Sequence, residues 1–405
     1  MSAVAELELP VFDYGDDSLK GPRFQETMRE LRERSWVVRA EPIGFLVLDQ
    51  EAVASFMRSK SATFPGPRLY EAQGITEGFL YERAKGTLLG RSGDDHRRLR
   101  KLVQPAFTPA AAEELRPAMR EYVEELFEGF AGEGRCEFVT SFAKPLPAKV
   151  IATVMGAPLE DAGRLGKWAN TIQGQFDPIK VSTRLDELNR AAAEFYEYVR
   201  DLLAKRHDDP GDDLVTTLIQ AEEEGDKLTE EECLDVVSSV LVGGVDTTQS
   251  QLAHGLRLFA EHPEQWKRLG DDPSLASNAA EEVLRFEPIA PLTARIMLED
   301  VEHRGVTFPR DTLVFAAAVT ANRDPDEYDE PETFDISADR GRAKPLSFGA
   351  GPHFCLGANL AKAELDEAFA FLAPRMRDLE LDGEPEYDTP LGVYGLLELP
   401  LRFTA

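Results

Sequence analysis

FGAGPHFCLG, residues 348–357, places three glycines, a histidine and one cysteine directly ahead of ANLAKAELDEAFAFLAPRMR, a stretch of strongly helical composition. A lone thiol is most often inert core packing, so the surroundings of Cys355 must decide its role. Gly349 and Gly351 permit backbone angles that side chains disfavour, and Gly357 lets something bulky approach the chain closely. Phe348 opens the loop and His353 lies inside it. Cys355 is expected at a helix start, where backbone N–H groups and the helix dipole favour the thiolate. That is the environment of a metal ligand.

The remainder of the chain narrows the choice. It has 405 residues, 42% of them apolar, and no run long enough to span a bilayer. Without a signal-like N-terminus it is expected to be cytoplasmic and not membrane-bound. Cys136, Cys233 and Cys355 are odd in number and far apart, which argues against a disulfide framework or a cysteine-rich zinc site. Cys136 and Cys233 are expected to be structural. A formal charge of −29 repels nucleic acid and anionic lipid, so neither is an expected partner. Two basic clusters stand out against it: HRRLRK at 96–101, and Arg340, Arg342 and Lys344.

No repeat or long linker forces a boundary, so residues 1–405 are expected to form one domain without a fused reductase, acting as a monomer. WVV at 36–38 and GFLVL at 44–48 suggest a hairpin, and β-like segments recur between Leu292 and Val319 around RGVTF. Helices are expected near 95–106, 110–131, 144–155, 185–206 and 230–261. The fold class is therefore mainly α with small β-sheets and a minor β-rich N-terminal region.

Thr229 to His262 is expected to form one long helix, roughly 48 Å from end to end at 1.5 Å per residue. Thr229 and Glu232 have capping-box spacing, and Pro263 follows its end. Inside lies LVGGVDTTQS, residues 241–250. Adjacent mid-helix glycines cost about 1 kcal/mol each, and Asp246, Thr247 and Thr248 compete for backbone hydrogen bonds. Gly243 and Gly244 admit two readings: a close helix crossing, or a widened groove where a ligand meets the backbone and an acid–alcohol pair manages protons.

Zinc requires several clustered ligands, whereas haem iron needs only one strong proximal protein ligand. With that, F-G-x-G-x-H-x-C-x-G, matched at every fixed position from Phe348 to Gly357, resembles the haem-binding loop of the cytochrome P-450 superfamily, here of its bacterial soluble type. Glu282 and Arg285 in EEVLRF have the E-x-x-R spacing that puts both on one helix face. Glu26 with Arg29, Glu113 with Arg116 and Glu197 with Arg200 share that spacing, so only order along the chain selects the first pair. PETFDISADR, residues 331–340, resembles the following family segment and supplies Arg340 as a third member of the loop's scaffold. GGVDTT resembles the oxygen-binding motif of the family's long central helix.

The resemblance covers nearly the whole chain. It implies the P-450 fold, haem b ligated by Cys355, and His96, Arg100, Arg295 and His353 on the propionates, with Arg97, Arg98 and Lys101 pointing outward. Asp246 and Thr247 would deliver protons. The implied activity is monooxygenation: one oxygen atom from dioxygen enters an apolar substrate of small to medium size. Electrons would come from a ferredoxin or flavodoxin-like donor with its reductase, so that NAD(P)H acts only indirectly. Arg97, Arg98, Lys101, Arg342, Lys344 and Lys362 are the candidate docking cations. Substrate contacts would come from Phe79–Leu89, Trp168–Phe176, Leu241–Gly244, Ile289–Thr293 and Leu391–Tyr394, with Leu88, Leu89, Val242, Gly243, Ile289, Leu292, Val393 and Tyr394 as pocket candidates.

Two alternatives are a peroxygenase that uses hydrogen peroxide and a non-catalytic P-450-like recruitment module. The resemblance sets Asp246 and Thr247 against the first, and Cys355, Asp246 and Thr247 together against the second.

Overall fold

The computed structural model describes residues 2–177, 181–223, 228–341 and 343–405. It divides into two compact units, one formed by residues 1–65, 281–355 and 387–395, the other by 66–280, 356–386 and 396–405.

The first unit is built on a six-stranded sheet. Its order is Val11–Asp13, Val37–Glu41, Phe45–Val47, Leu313–Ala317, Leu292–Met297, Ala62–Thr63. The expected hairpin is present, with Val37 opposite Val47 and Val38 opposite Leu46. It joins the later β segments by parallel pairing of Phe45 with Val314. The β-rich region is therefore not only N-terminal. WVV and GFLVL are apolar without alternation because both sheet faces are covered. Val37, Phe45, Val47 and Val314 pack with Val53, Phe56 and Met57 of the helix Gln50–Arg58. Val38, Leu46, Leu48 and Phe315 pack with Phe24, Met28 and Leu31 of the helix Gly21–Arg34.

The second unit is mostly helical, and the expected helices appear as Gly93–Val103, Pro109–Ala131, Pro145–Met155 and Leu185–Asp208. Arg116 and Arg120 of the second of these reach Glu367 on the helix Ala358–Leu372 at 2.9 and 2.6 Å. The long helix is corrected. It runs as Glu230–Gly244 and then Asp246–Glu261, interrupted at Val245. Its capping box is formed as expected, Glu232 N donating to Thr229 Oγ1 and Thr229 N to Glu232 Oε2, both at 3.1 Å. The break follows from LVGGVDTTQS itself: two poor helix formers precede a threonine whose hydroxyl competes for the i−4 carbonyl.

Candidate functional site

The candidate residues divide between the two units. In the first, the loop carrying Cys355 folds back on itself: Cys355 N donates to Phe348 O at 2.9 Å, Gly349 N to Leu346 O at 2.8 Å and Phe354 N to Gly351 O at 3.1 Å. Gly351 has φ +74°, and a Cβ there would lie 2.8 Å from the Met57 carbonyl oxygen, so only glycine fits. Gly349 also has positive φ, at +69°. His353 ends a single 3-10 turn beginning at Gly351. Cys355 does not stand on the helix: the helix starts at Ala358 with Gly357 as its N-cap. A Cβ on Gly357 would meet nothing within 4 Å, so the chain beside the cysteine is open to a bulky neighbour.

Behind this loop lies a buried ion network. Arg285, 1% exposed, donates from Nε to Glu282 Oε2 at 2.7 Å and from Nη2 to Glu282 Oε1 at 2.8 Å. Arg340 Nη2 reaches the same Oε1 at 2.5 Å. Arg285 also donates to the carbonyls of Asn322, Pro331 and Thr333 at 3.1, 2.8 and 3.0 Å. The structure brings Glu282, Arg285 and Arg340 together, and the look-alike pairs differ. Glu26 and Arg29 are exposed and 3.8 Å apart, and Arg200 pairs with Glu230 at 2.9 Å.

Sequence reasoning missed two residues of this framework. Fully buried Asn322 donates from Nδ2 to Ser347 Oγ at 2.8 Å and accepts from Leu346 N at 2.7 Å. Ser347 Oγ donates in turn to Leu284 O at 2.6 Å, tying the cysteine loop's entry to the E-x-x-R helix. The available signal was an asparagine closing an apolar run, LVFAAAVTAN, since a buried amide must satisfy its hydrogen bonds.

Arg295 is the observation that bears on an anionic cofactor. It sits on the strand Leu292–Met297, 3% exposed, with Nη1 on Ala294 O at 2.9 Å. Burial pushes its guanidinium down to about 10. No carboxylate pairs with it among the described residues. Buried charges ordinarily have counter-ions, and a haem propionate is a group of the required sign.

In the second unit His96 and Arg100 lie one turn apart on Gly93–Val103. Burial first, then the charge of Arg100, hold the His96 imidazole below its ordinary range. Arg98 does not point outward as expected but bonds Glu232 at 2.5 Å, and Arg97 pairs with Asp94. Lys101 and Lys344 are exposed and Lys362 is half-buried. Arg342 lies outside the described residues.

At the helix break Thr247 Oγ1 donates to Gly243 O at 2.5 Å, with Asp246 beside it and half-buried. The two glycines take different parts. A Cβ on Gly244 would lie 2.4 Å from Ile151 Cδ1, whereas one on Gly243 would meet nothing within 4 Å. Gly244 is the helix crossing and Gly243 the open groove. Val242 is buried, Leu88 half-buried and Leu89 exposed.

Of the first unit's pocket candidates, Ile289 and Val393 are half-buried. Tyr394 is corrected to core: its hydroxyl accepts from Gly21 N at 2.7 Å, its ring stacks on Tyr387, and it is 1% exposed. Leu292 belongs to the same core cluster.

Haem fits these residues. Within the first unit, a cysteine loop and a buried arginine with no carboxylate among the described residues suit its iron and a propionate; within the second, the open Gly357 and an exposed helix groove beside an acid and an alcohol suit its bulk. Cys136 is an unsuitable ligand, its thiol pushed up to about 12 by burial and the adjacent Glu137. Among the described residues, no group of three or more His, Cys, Asp and Glu is placed to hold a metal ion, and no helix is long and apolar enough to cross a membrane.

The cytochrome P450 family profile matches residues 35–272 and 274–390. The chain is 36% identical over 399 residues to luteothin monooxygenase of Streptomyces thioluteus, covering 98% of this chain and 97% of that protein. It is 35% identical over 377 residues to the mycinamicin IV hydroxylase/epoxidase of Micromonospora griseorubida, covering 91% of this chain and 89% of that one. Among solved structures, CalO2 superposes with a TM-score of 0.91 at 30% identity, covering 98% of this chain and 99% of its own. P450BioI in complex with acyl carrier protein ligated to hexadec-9Z-enoic acid gives 0.86 at 32%, covering 94% and 98%. Agreement of this length places the chain in the cytochrome P450 family as a haem b-dependent monooxygenase of the oxidoreductase class.

Proposed function

We propose that residues 1–405 act as one haem domain. Cys355 ligates the iron, and His96, Arg100, Arg295 and His353 meet the propionates. Phe348, Gly349, Gly351 and Gly357 shape the loop, and Glu282, Arg285 and Arg340 brace it. The substrate is an apolar molecule of small to medium size. Electrons come from a separate ferredoxin-type or flavodoxin-like donor, whose approach Lys101, Lys344 and Lys362 favour.

Haem, when bound, supplies oxygen activation, strengthened by electron donation from a thiolate ligand. The protein's part is to hold a thiolate, neutralise two carboxylates and move protons. Cys355 is kept in place by its own N–H on Phe348 O at 2.9 Å and by the left-handed Gly351. On the helix, Thr247 rests its hydroxyl on the Gly243 carbonyl, from which it can turn to donate into the groove. Asp246, half-buried at the break, can exchange a proton with water and pass it on. Val242 with Leu88 and Leu89 offers apolar contacts. An acyl group such as the hexadec-9Z-enoic acid in the P450BioI complex exemplifies a ligand suited to such a lining.

The observation that carries this reading is the break itself, with an acid, an alcohol and an unfilled glycine face on consecutive turns. It favours dioxygen-driven turnover over peroxide use and over a non-catalytic role. Thr247→Ala is expected to consume reducing equivalents while forming little product and releasing peroxide. Coupling equal to the parent enzyme would remove Thr247 from proton delivery.

A further inference from the structure

We propose that Asp235 is a positioning residue for the groove, holding the loop Ala84–Arg91 over the helix turn that precedes Gly243. The proposal rests on the reading of Gly243 to Thr247 as the groove. Asp235, Ser239 and Gly243 recur at four-residue spacing, which sets them along one side of Glu230–Gly244, and Thr247 follows just past the break. Ser239 Oγ donates to Asp235 O at 2.8 Å, the same back-bond that Thr247 makes to Gly243.

The loop docks on the first two turns of that face. Leu88 N donates to Ser239 Oγ at 3.2 Å. Gly86 lies so close that a Cβ would be 1.7 Å from Asp235 Oδ2. Arg83 reaches Asp235 Oδ1 at 3.5 Å and Glu231 at 2.6 Å, while Arg91 and Arg98 reach Glu232 at 3.5 and 2.5 Å. Arg91 Nε also holds Gly86 O at 3.0 Å. Three arginines thus meet three carboxylates.

Asp235 differs from the other two acids. It is 3% exposed, accepts the Tyr196 hydroxyl at 2.8 Å and pairs with Arg83 at the loop's entry, so one carboxylate ties that entry to both Leu185–Asp208 and Glu230–Gly244. Leu88 and Leu89 are thereby held one turn before the open face of Gly243. Releasing the loop frees these two side chains and widens access, with no change at Cys355.

The test uses haem-loaded enzyme and imidazole, followed by its spectral change on binding iron. Asp235→Asn is expected to raise both association and dissociation rates about fivefold to tenfold, the scale of one charge-assisted hydrogen bond, and to leave the reduced carbon monoxide spectrum unchanged. The parent's rates should also climb with salt, which screens the Glu232 pairs, and Glu232→Gln should flatten that climb. If Asp235→Asn fails to load haem, Ser239→Ala, which removes the acceptor of Leu88 N–H and the back-bond to Asp235 O but leaves every ion pair in place, carries the same expectation. Rates within twofold of the parent in a loaded variant would overturn the proposal. A parent enzyme that gives no imidazole shift would instead overturn the groove reading, and this proposal with it.

Discussion

Arg285→Ala tests whether the E-x-x-R pair is architecture or surface ornament. Arg285 is 1% exposed, and all five guanidinium N–H groups are used: two on Glu282 and three on the carbonyls of Asn322, Pro331 and Thr333. Truncation leaves Glu282 buried with only Arg340 and the Asp335 N–H. It also strips a donor from three carbonyls. Removing one partner of a buried pair costs about 3–5 kcal/mol, a large share of the 5–15 kcal/mol or so that holds a typical domain. Arg29→Ala breaks an i,i+3 pair that is exposed and 3.8 Å apart, which is worth at most about 0.5 kcal/mol. Arg285→Lys keeps the charge but offers three donors in place of a planar five, and is expected to lose about 2 kcal/mol or more. Denaturant unfolding of the loaded enzyme, read by circular dichroism and by haem release together, gives all three values. Arg285→Ala within 1 kcal/mol or so of Arg29→Ala, or Arg285→Lys at parental stability, would refute the assignment.

Cys355→His is expected to replace the thiolate-type spectrum of the reduced carbon monoxide complex by an imidazole-type one; an unchanged spectrum would place the ligand elsewhere. Gly244→Ala, whose Cβ would lie 2.4 Å from Ile151 Cδ1, should cost about 1–3 kcal/mol in thermal unfolding. Gly243→Ala, with open space, should gain up to about 1 kcal/mol, and equal effects would erase the distinction between the two glycines. Glu364 is 1% exposed, neither carboxyl oxygen has a hydrogen-bond partner among the described residues, and burial raises its pKa well above the ordinary value. The folded state therefore keeps a proton that the unfolded state releases. Its contribution to stability is full below the ordinary carboxylate range and falls as pH rises through the elevated value. Glu364→Gln should flatten that decline, and parallel stability profiles for the two proteins would show that the carboxyl is charged.

Much of this was legible in the residues. The glycines of FGAGPHFCLG announce unusual backbone, and Gly351 has it, at φ +74°. Thr229 and Glu232 announce a cap because the motif is local, and WVV with GFLVL announces a strand pair because both are short apolar runs. Glu282 and Arg285 are indistinguishable from other E-x-x-R pairs, such as Glu26 with Arg29, until burial separates them. Tyr394 was unreadable for a related reason: an aromatic among apolar neighbours has the same pattern in a pocket or a core, and only Gly21 N and Tyr387 decide it. Arg98 was misread because its partner Glu232 is 134 residues away, beyond any helical periodicity. Asn322 and Ser347 carry no motif at all. The one signal is the place of Asn322 at the end of an apolar run, and the partners Leu284 and Leu346 appear only in the fold.

The pair Gly243 and Gly244 shows where sequence reasoning could have gone further. A close crossing and an open groove are alternative explanations only if the two glycines share one cause. Neighbouring helix positions, however, point about 100° apart. A side chain wide enough to need a glycine beneath it on one face does not reach the next position, so two adjacent glycines face two different surroundings. Both causes act, one on each residue: Gly244 yields space to Ile151, and Gly243 leaves its carbonyl accessible to the Thr247 hydroxyl. The break at Val245 follows from the same arithmetic. Close packing fixes the helix at Gly244, the hydroxyl draws on the carbonyl one residue earlier, and the backbone between Gly244 and Asp246 absorbs the mismatch. The interruption that this composition favours is what opens the helix backbone toward the groove.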